Sequence, residues 1–454
     1  MFKIQQLVTL EIFNRITRIR NKIISEEKRD KLFGIILVFL FFIQILISYL
    51  FVLNFMVKII FFTILLGITL FFAVPSKMEL QDFRGVLFYP VYIIAASFLM
   101  TGIITKTKGY IVYSVIFAVI IPTIIVVFGN LEREKLYTKI SESITIVFAI
   151  VLTISFFAAP ILNAQYSAIC GNPNAFSNFL SIVLITQLYL VEKKSGKDRI
   201  VHLVFSAISL VFCLYTSTRT GILSMVLILI TYIIYLIFNQ RKQIKENLIK
   251  VGIIAVLSYI LFFFLFFLFT QGTDFILNLE ERYFGDSFTV TAPLYTPKAE
   301  EANVADATDR IVQRLEKGKD GEASFTSGRI DIWREFIKNT GIVGHRTENR
   351  LVLKKFYSEP KWCYAHNAFL QLAYSGGAFA GISLFVLWCT YGIMALKEKV
   401  RSKESMMLFA FVLASGLQMM LGSNYSPYQE IMHLVAWIVM TPVFRKRCKQ
   451  DICS

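Results

Sequence analysis

What most constrains this chain is the recurrence of apolar blocks of about 18–23 residues, each long enough to cross a ~30 Å hydrocarbon core as a helix. Such blocks lie at 33–53, 55–74, 86–104, 110–129, 143–161, 173–191, 199–217, 220–238 and 248–270, and again at 367–396, 405–423 and 427–444. With 56% hydrophobic and 17% charged residues over 454 positions, the chain holds far less charge than a soluble protein of its length. The expectation is an all-α membrane protein of about twelve transmembrane helices with one large extracytoplasmic loop.

A formal net charge of +16 would suit a nucleic-acid partner, but the placement of the charge excludes that reading. About 29 Lys and Arg fall on one alternate set of termini and short connections, against roughly 3 (Lys106, Lys108 and Arg219) on the other. This is the positive-inside pattern, and it sets both termini on the cytoplasmic side. The chain then divides into a cytoplasmic amphipathic helix (1–31), spans 1–9 (32–270), a large extracytoplasmic loop (271–365), spans 10–12 (366–445) and a cytoplasmic tail (446–454). In the first part Ile12, Ile16, Ile19 and Ile23 recur at helical spacing between Arg15, Arg18, Arg20 and Lys22. That pattern fits a helix lying on the bilayer rather than a cleaved leader. The 6 cysteines show neither CxxC nor Cys/His metal spacing, so no zinc site or disulfide framework is expected.

The interval 271–365 is too long for a bare connection. Its first part, DSFTVTAPLYTPKAEEANVADATD, is polar and punctuated by Pro. Its second part can fold: Ser327 is a candidate N-cap for a short helix through Arg329, Ile332, Trp333 and Phe336 that ends near Gly341. The apolar side of that helix can rest on the membrane or on the spans.

Arg219, Arg329 and His366 all map to the extracytoplasmic face. A guanidinium at the edge of an apolar span is costly, and its planar fork matches phosphate oxygens. Two such forks on one face would clamp a diphosphate. The alternatives are an interface anchor for Arg219 and a solvated loop charge for Arg329. His366, one of 4 histidines, suits proton transfer near neutral pH or a capping role. Asn367 can orient a sugar or cap the following helix. Glu430 and His433, three apart near the same end of the last span, form either a functional pair or a structural one.

In this order, GNPNAF (171–176), STRTG (217–221) heading a span, SGRIDIW (327–333) in the long loop and AHNAFLQLAYSGG (365–377) opening the next span resemble the O-antigen ligase/polymerase family. The resemblance is best from Gly171 to Gly381. It implies a GT-C-like helical scaffold and a metal-independent glycosyltransferase without cofactor, on the outer face of the cytoplasmic (inner) membrane. The implied substrates are an undecaprenyl-diphosphate-linked oligosaccharide and an acceptor glycan, as in capsule, O-antigen or lipopolysaccharide assembly. By this resemblance Arg219 and Arg329 would hold the diphosphate and His366 would act at the acceptor. Asn174, Asn367 and Glu430 complete the candidate substrate contacts. Two places depart from the family pattern: Gly344 is followed by His345 and Arg346 instead of leading a Gly-x-Gly, and Tyr374-Ser375 stand where an acidic residue is common.

A polysaccharide polymerase is the preferred reading. The alternatives are a ligase passing glycan to lipid A core or another acceptor, and a transporter or flippase. The other expected partners are the lipid bilayer and a chain-length regulator or flippase of the same pathway. Cys170 and Cys363 would both face outward, which would bring the GNPN and AHN segments together if they pair. The topology is testable by labelling single cysteines. In intact cells an impermeant thiol reagent should modify Asn303→Cys and spare Ser195→Cys, and the reverse result would invert the orientation.

Overall fold

The computed structural model describes residues 2–49, 55–75, 78, 80–158, 166–239, 244–284, 329–346, 352–353, 361–362, 364–398, 400–422 and 424–445. The helices are α1 (Phe2–Ile23), α2 (Glu26–Tyr49), α3 (Phe55–Ala73), α4 (Phe88–Thr105), α5 (Lys108–Val115), α6 (Ile121–Gly129), α7 (Arg133–Ala158), α8 (Pro173–Lys193), α9 (Gly196–Thr216), α10 (Arg219–Asn239) and α11 (Ile244–Phe284). After the long interval come α12 (Arg329–Asn339), α13 (Ala368–Gly376), α14 (Ala378–Lys397), α15 (Lys403–Leu421) and α16 (Ile431–Val439). The strands among the described residues are a two-residue antiparallel ladder of Val352–Leu353 with Lys361–Trp362. Among those residues 11 helical segments are long and apolar enough to cross a membrane. The protein is an all-α polytopic membrane protein.

Several elements differ from the sequence expectation, each for a local reason. The block at 367–396 is broken into α13 and α14 at Gly377, whose φ of 100° a side chain would resist. The last apolar block yields a shorter helix, Ile431–Phe444, because the chain is still non-helical as far as Glu430. Helix α11 runs on to Phe284, well past the expected span end at 270. Helices α5 and α6 form one span through a π turn at Ile116–Ile120. Pro122, which has no N–H to donate, follows directly on that wider turn. The N-cap expected at Ser327 lies outside the described residues.

Helix α8 runs through the middle of the bundle. From Ala175 to Val191 every residue but Asn178 is buried, including Ser177, Ser181, Thr186 and Gln187. Its hydroxyls are satisfied within the helix: Ser181 Oγ donates to Ser177 O and Thr186 Oγ1 to Ile182 O. The buried hydroxyls of α8 therefore have partners, as an apolar surrounding requires.

Helix α1 lies across the end of the bundle opposite Arg219. Its buried side is polar: Gln6 donates to Gln81 O (2.8 Å), and Arg20 donates through Nη1 to Phe71 O and Val74 O, both at 2.7 Å. The last carbonyls of α3 would otherwise lack partners, and the guanidinium supplies them. Ile4, Leu7, Val8, Ile12, Ile19 and Ile23 face away from the protein. Arg20→Met should lower unfolding stability in detergent by about 1.5–3 kcal/mol, the worth of a charged donor on buried carbonyls. Exposed Arg18→Met, followed by the same thermal measurement, should leave stability unchanged.

Candidate functional site

At the Arg219 end, four connections build the site. The first is the turn between α9 and α10. Ser217 adopts left-handed backbone (φ 49°), and Thr216 Oγ1 donates to Cys213 O at 2.7 Å while lying 3.1 Å from Thr218 Oγ1. Helix α10 therefore starts at once, with half-buried Arg219 as its first residue. A Cβ on Gly221 would stand 2.5 Å from the Ser177 side chain. Only glycine lets the first turn of α10 press against the first turn of α8.

That turn of α8 carries the GNPN segment. Asn172 is its N-cap, accepting from the N–H of Asn174 at 2.8 Å, and Pro173 follows at the first helical position. Asn174 is exposed on the same turn, and Asn178 lies one turn further along the same face.

The third and fourth pieces dock on one another. Helix α12 buries Ile332 and Phe336 against Ala365 and Tyr374, with the Phe336 and Tyr374 rings edge-on at 5.0 Å. Trp333 Nε1 donates to Ala365 O at 2.9 Å. On the other side, Asn367 is the N-cap of α13, its Oδ1 accepting from Leu370 N–H at 3.1 Å. His366 is held between these two fixed neighbours with a left-handed φ of 46°, unusual for a residue with a side chain. The helix expected in the long loop is thus present from Arg329, and its apolar side packs on Ala365 of the AHN segment and on Tyr374 of α13.

The charges read out the convergence. Burial and the charge of Arg219 together lower the pKa of the Arg329 guanidinium. Burial and the charge of Arg329 in turn hold the His366 imidazole below its ordinary 6.5. Arg219, Arg329 and His366, spread over 147 positions of sequence, form one electrostatic cluster. The same two causes make His366 neutral at pH 7 while one side of it stays exposed.

Residues 341–346 return over the end of α13. Gly344 N–H donates to Thr101 Oγ1 (3.0 Å), His345 N–H to Tyr374 O (3.1 Å), and Ala378 N–H to Gly341 O (2.9 Å). A Cβ on Gly344 would fall 2.0 Å from Ser375 O, and one on Gly377 2.1 Å from Ile342 O. The imidazole of His345 stacks on Tyr374, with ring centres 4.1 Å apart and planes 5° from parallel. Ser97 and Thr101 of α4 both donate to Gly376 O, tying this corner into the bundle.

Glu430 anchors a second polar cluster. Its buried carboxylate accepts from Asn178 Nδ2 (2.7 Å) and Asn424 Nδ2 (3.2 Å), and His433 Nε2 stands 3.7 Å away. Burial and this carboxylate push the pKa of the Cys170 thiol upward. Cys363, the proposed partner of Cys170, lies outside the described residues. Asn178 went unnoticed in the sequence because it sits inside an apolar block. A further group was also missed: Tyr113 hydrogen-bonds Tyr425 and Gln429, and Tyr110 hydrogen-bonds Ser375. Its signal was the three tyrosines clustered near span ends.

Fold and site together define a multi-pass membrane protein that presents two arginines and a neutral histidine at one end of its bundle. Residues 204–386 match the family model described as O-antigen ligase, which supports the resemblance carried by the four motifs. The matched region contains Arg219, Arg329 and His366, while Asn174 and Glu430 fall outside it. No curated protein matches the chain.

Gly344→Ala should lift residues 341–346 from α13. Limited proteolysis should cut the variant between 329 and 346 markedly faster than the wild type, with the transmembrane fragments unchanged.

Proposed function

We propose that the protein is a polysaccharide polymerase. It transfers glycan from an undecaprenyl-diphosphate-linked donor to an acceptor sugar hydroxyl on the outer face of the cytoplasmic membrane. The observation that carries this reading is the convergence of Arg219, Arg329 and His366 on one cluster at the end of the bundle that the charge asymmetry places outside. The matched family, described as O-antigen ligase, favours a second reading in which the acceptor is a different glycan or lipid-linked core. Both readings share the same chemistry.

In that chemistry the acceptor oxygen attacks the anomeric carbon, and its proton passes to a nitrogen of His366. The bond from that carbon to the diphosphate oxygen breaks, and undecaprenyl diphosphate leaves with the bonding electrons. Negative charge grows on the leaving diphosphate, and the guanidinium groups of Arg219 and Arg329 are positioned to stabilise it. Burial makes this stabilisation stronger than it would be in water. His366 starts neutral because Arg329 and burial disfavour its charged form, so it is ready to accept a proton at pH 7. The helix caps formed by Asn172 and Asn367 hold the GNPN and AHN segments in place. Asn174, exposed on the same turn as Asn172, is assigned to the sugar-binding surface, and buried Glu430 supports that surface through its hydrogen bond from Asn178.

The test is glycan joining by purified protein supplied with lipid-linked repeat units in detergent. Rates should fall as pH drops through a value below the ordinary 6.5, because the histidine resists protonation until then. His366→Gln should lose about 10²–10⁴-fold in rate together with that acid limb. Arg219→Lys and Arg329→Lys keep the charge and lose the planar fork, so each should lower the rate strongly while the limb survives. Near-normal rates in the Gln variant with an unchanged limb would remove His366 from the chemistry. If repeats are not joined but a foreign acceptor is glycosylated, the ligase reading replaces the polymerase one.

A further inference from the structure

At the end of the bundle away from Arg219, many cations are matched by carboxylates. Glu134 takes Lys193 at 2.9 Å and Lys403 at 3.5 Å, Glu142 takes Lys194 at 2.9 Å, and Asp30 takes Lys135 and Arg29. One cavity breaks the pattern. Arg84, Arg133, Lys397 and Arg445 line a space of about 240 Å³ whose one carboxylate, Glu398, is engaged by Arg133 at 2.8 Å. Among the described residues, Arg84, Lys397 and Arg445 form no ion pair, and the Nε atoms of Arg84 and Arg133 are buried without a hydrogen-bond partner. The positive-inside rule explains why cations gather at this end. It does not explain why they converge on one cavity without carboxylates to match.

The cavity is also built by the fold. Arg84 N–H donates to Phe444 O at 2.6 Å, and Phe83 pairs with Arg445 in an antiparallel bridge, so the backbone at both arginines is fixed at the cavity that they line. Gly129 lets this segment close down, since a Cβ there would lie 2.8 Å from the Phe83 ring. The depth is fixed by the spans. Arg84 immediately precedes Gly85–Thr105, Arg133 opens Arg133–Phe157, Lys397 closes Ala378–Lys397, and Arg445 follows Ile431–Phe444. All four cations therefore lie where hydrocarbon gives way to headgroups. Guanidinium forks match phosphate oxygens, and phosphate is the anion of that layer.

We propose that this cavity binds a phosphate group at the bilayer surface, presented as the headgroup of an anionic phospholipid. The site is remote from the Arg219 cluster, and the proposal is independent of the glycan-transfer reading. The experiment places the full-length protein in nanodiscs of phosphatidylcholine alone or with phosphatidylglycerol. It reads the thermal midpoint, and the phosphatidylglycerol retained is measured by native mass spectrometry. Phosphatidylglycerol should raise the wild-type midpoint and be retained. Arg84→Gln with Arg445→Gln should weaken retention by tenfold or more, and exposed Lys397→Gln, which spares the packed residues, by several-fold. Arg18→Gln with Lys22→Gln on the exposed side of α1 should change nothing. Equal retention by wild type and both cavity variants would overturn the proposal, and so would an equal loss in the α1 control. If inorganic phosphate in phosphatidylcholine discs reproduces the whole midpoint rise and phosphatidylglycerol adds nothing, the lipid source is overturned and the phosphate site stands.

Discussion

Two like charges held close at the rim of a low-dielectric slab are what the rest of this fold has to support. Burial and the charge of Arg219 both disfavour the charged form of Arg329. Left to itself a long loop would carry Arg329 away. The docking of Ile332, Trp333 and Phe336 on the AHN corner prevents this, and the close approach of α10 to α8 at Gly221 fixes the other side. A site that keeps cations together before any anion arrives spends no reorganisation when negative charge develops there.

The means of holding them follow from the solvent. Lipid tails are as apolar as the helices, so burial of apolar surface does little to bring helices together. Close approach at small residues and hydrogen bonds across helices take over that task. Gly221 against Ser177 is the first kind, and Ser97 and Thr101 donating to Gly376 O are the second. The same devices act where the chain leaves helical geometry. The carbonyl of Gly376 at the break between α13 and α14 is an acceptor without its usual helical donor, and α4 supplies two hydroxyls instead. The irregular backbone between α13 and α14 is thus satisfied by protein groups.

Much of this was legible in the chain. Block length announced the spans, and the helix from Arg329 could be read from the spacing of Ile332, Trp333 and Phe336. Convergence of Arg219, Arg329 and His366 was expected only from resemblance, because no local pattern says which loops meet. Asn178, Tyr110 and Tyr113 escaped because a polar residue within an apolar block gives no sign of the direction it faces, and Tyr425 because it lies in a connection far from them in sequence. The break at Gly377 escaped for a related reason. A run such as AFLQLAYSGGAFAGISLF reads as one hydrophobic stretch, and only the left-handed φ at Gly377 and the carbonyl of Ile342 beside it reveal the corner.

The seat of the loop helix also depends on particular side chains. His345 lies flat on Tyr374, with ring centres 4.1 Å apart. The backbone carbonyl of Tyr374 accepts from His345 N–H, and Tyr374 packs on Phe336 through its other contacts. An acidic side chain at 374 would offer neither the flat surface for the imidazole nor the apolar edge for Phe336. A glycine at 345 would in turn leave one face of the tyrosine bare. The two rings thus form a packing solution for seating the loop helix. They lie beside the close approach at Gly344, where a Cβ would fall 2.0 Å from Ser375 O. The helix they seat opens with Arg329, and the corner it packs on carries His366.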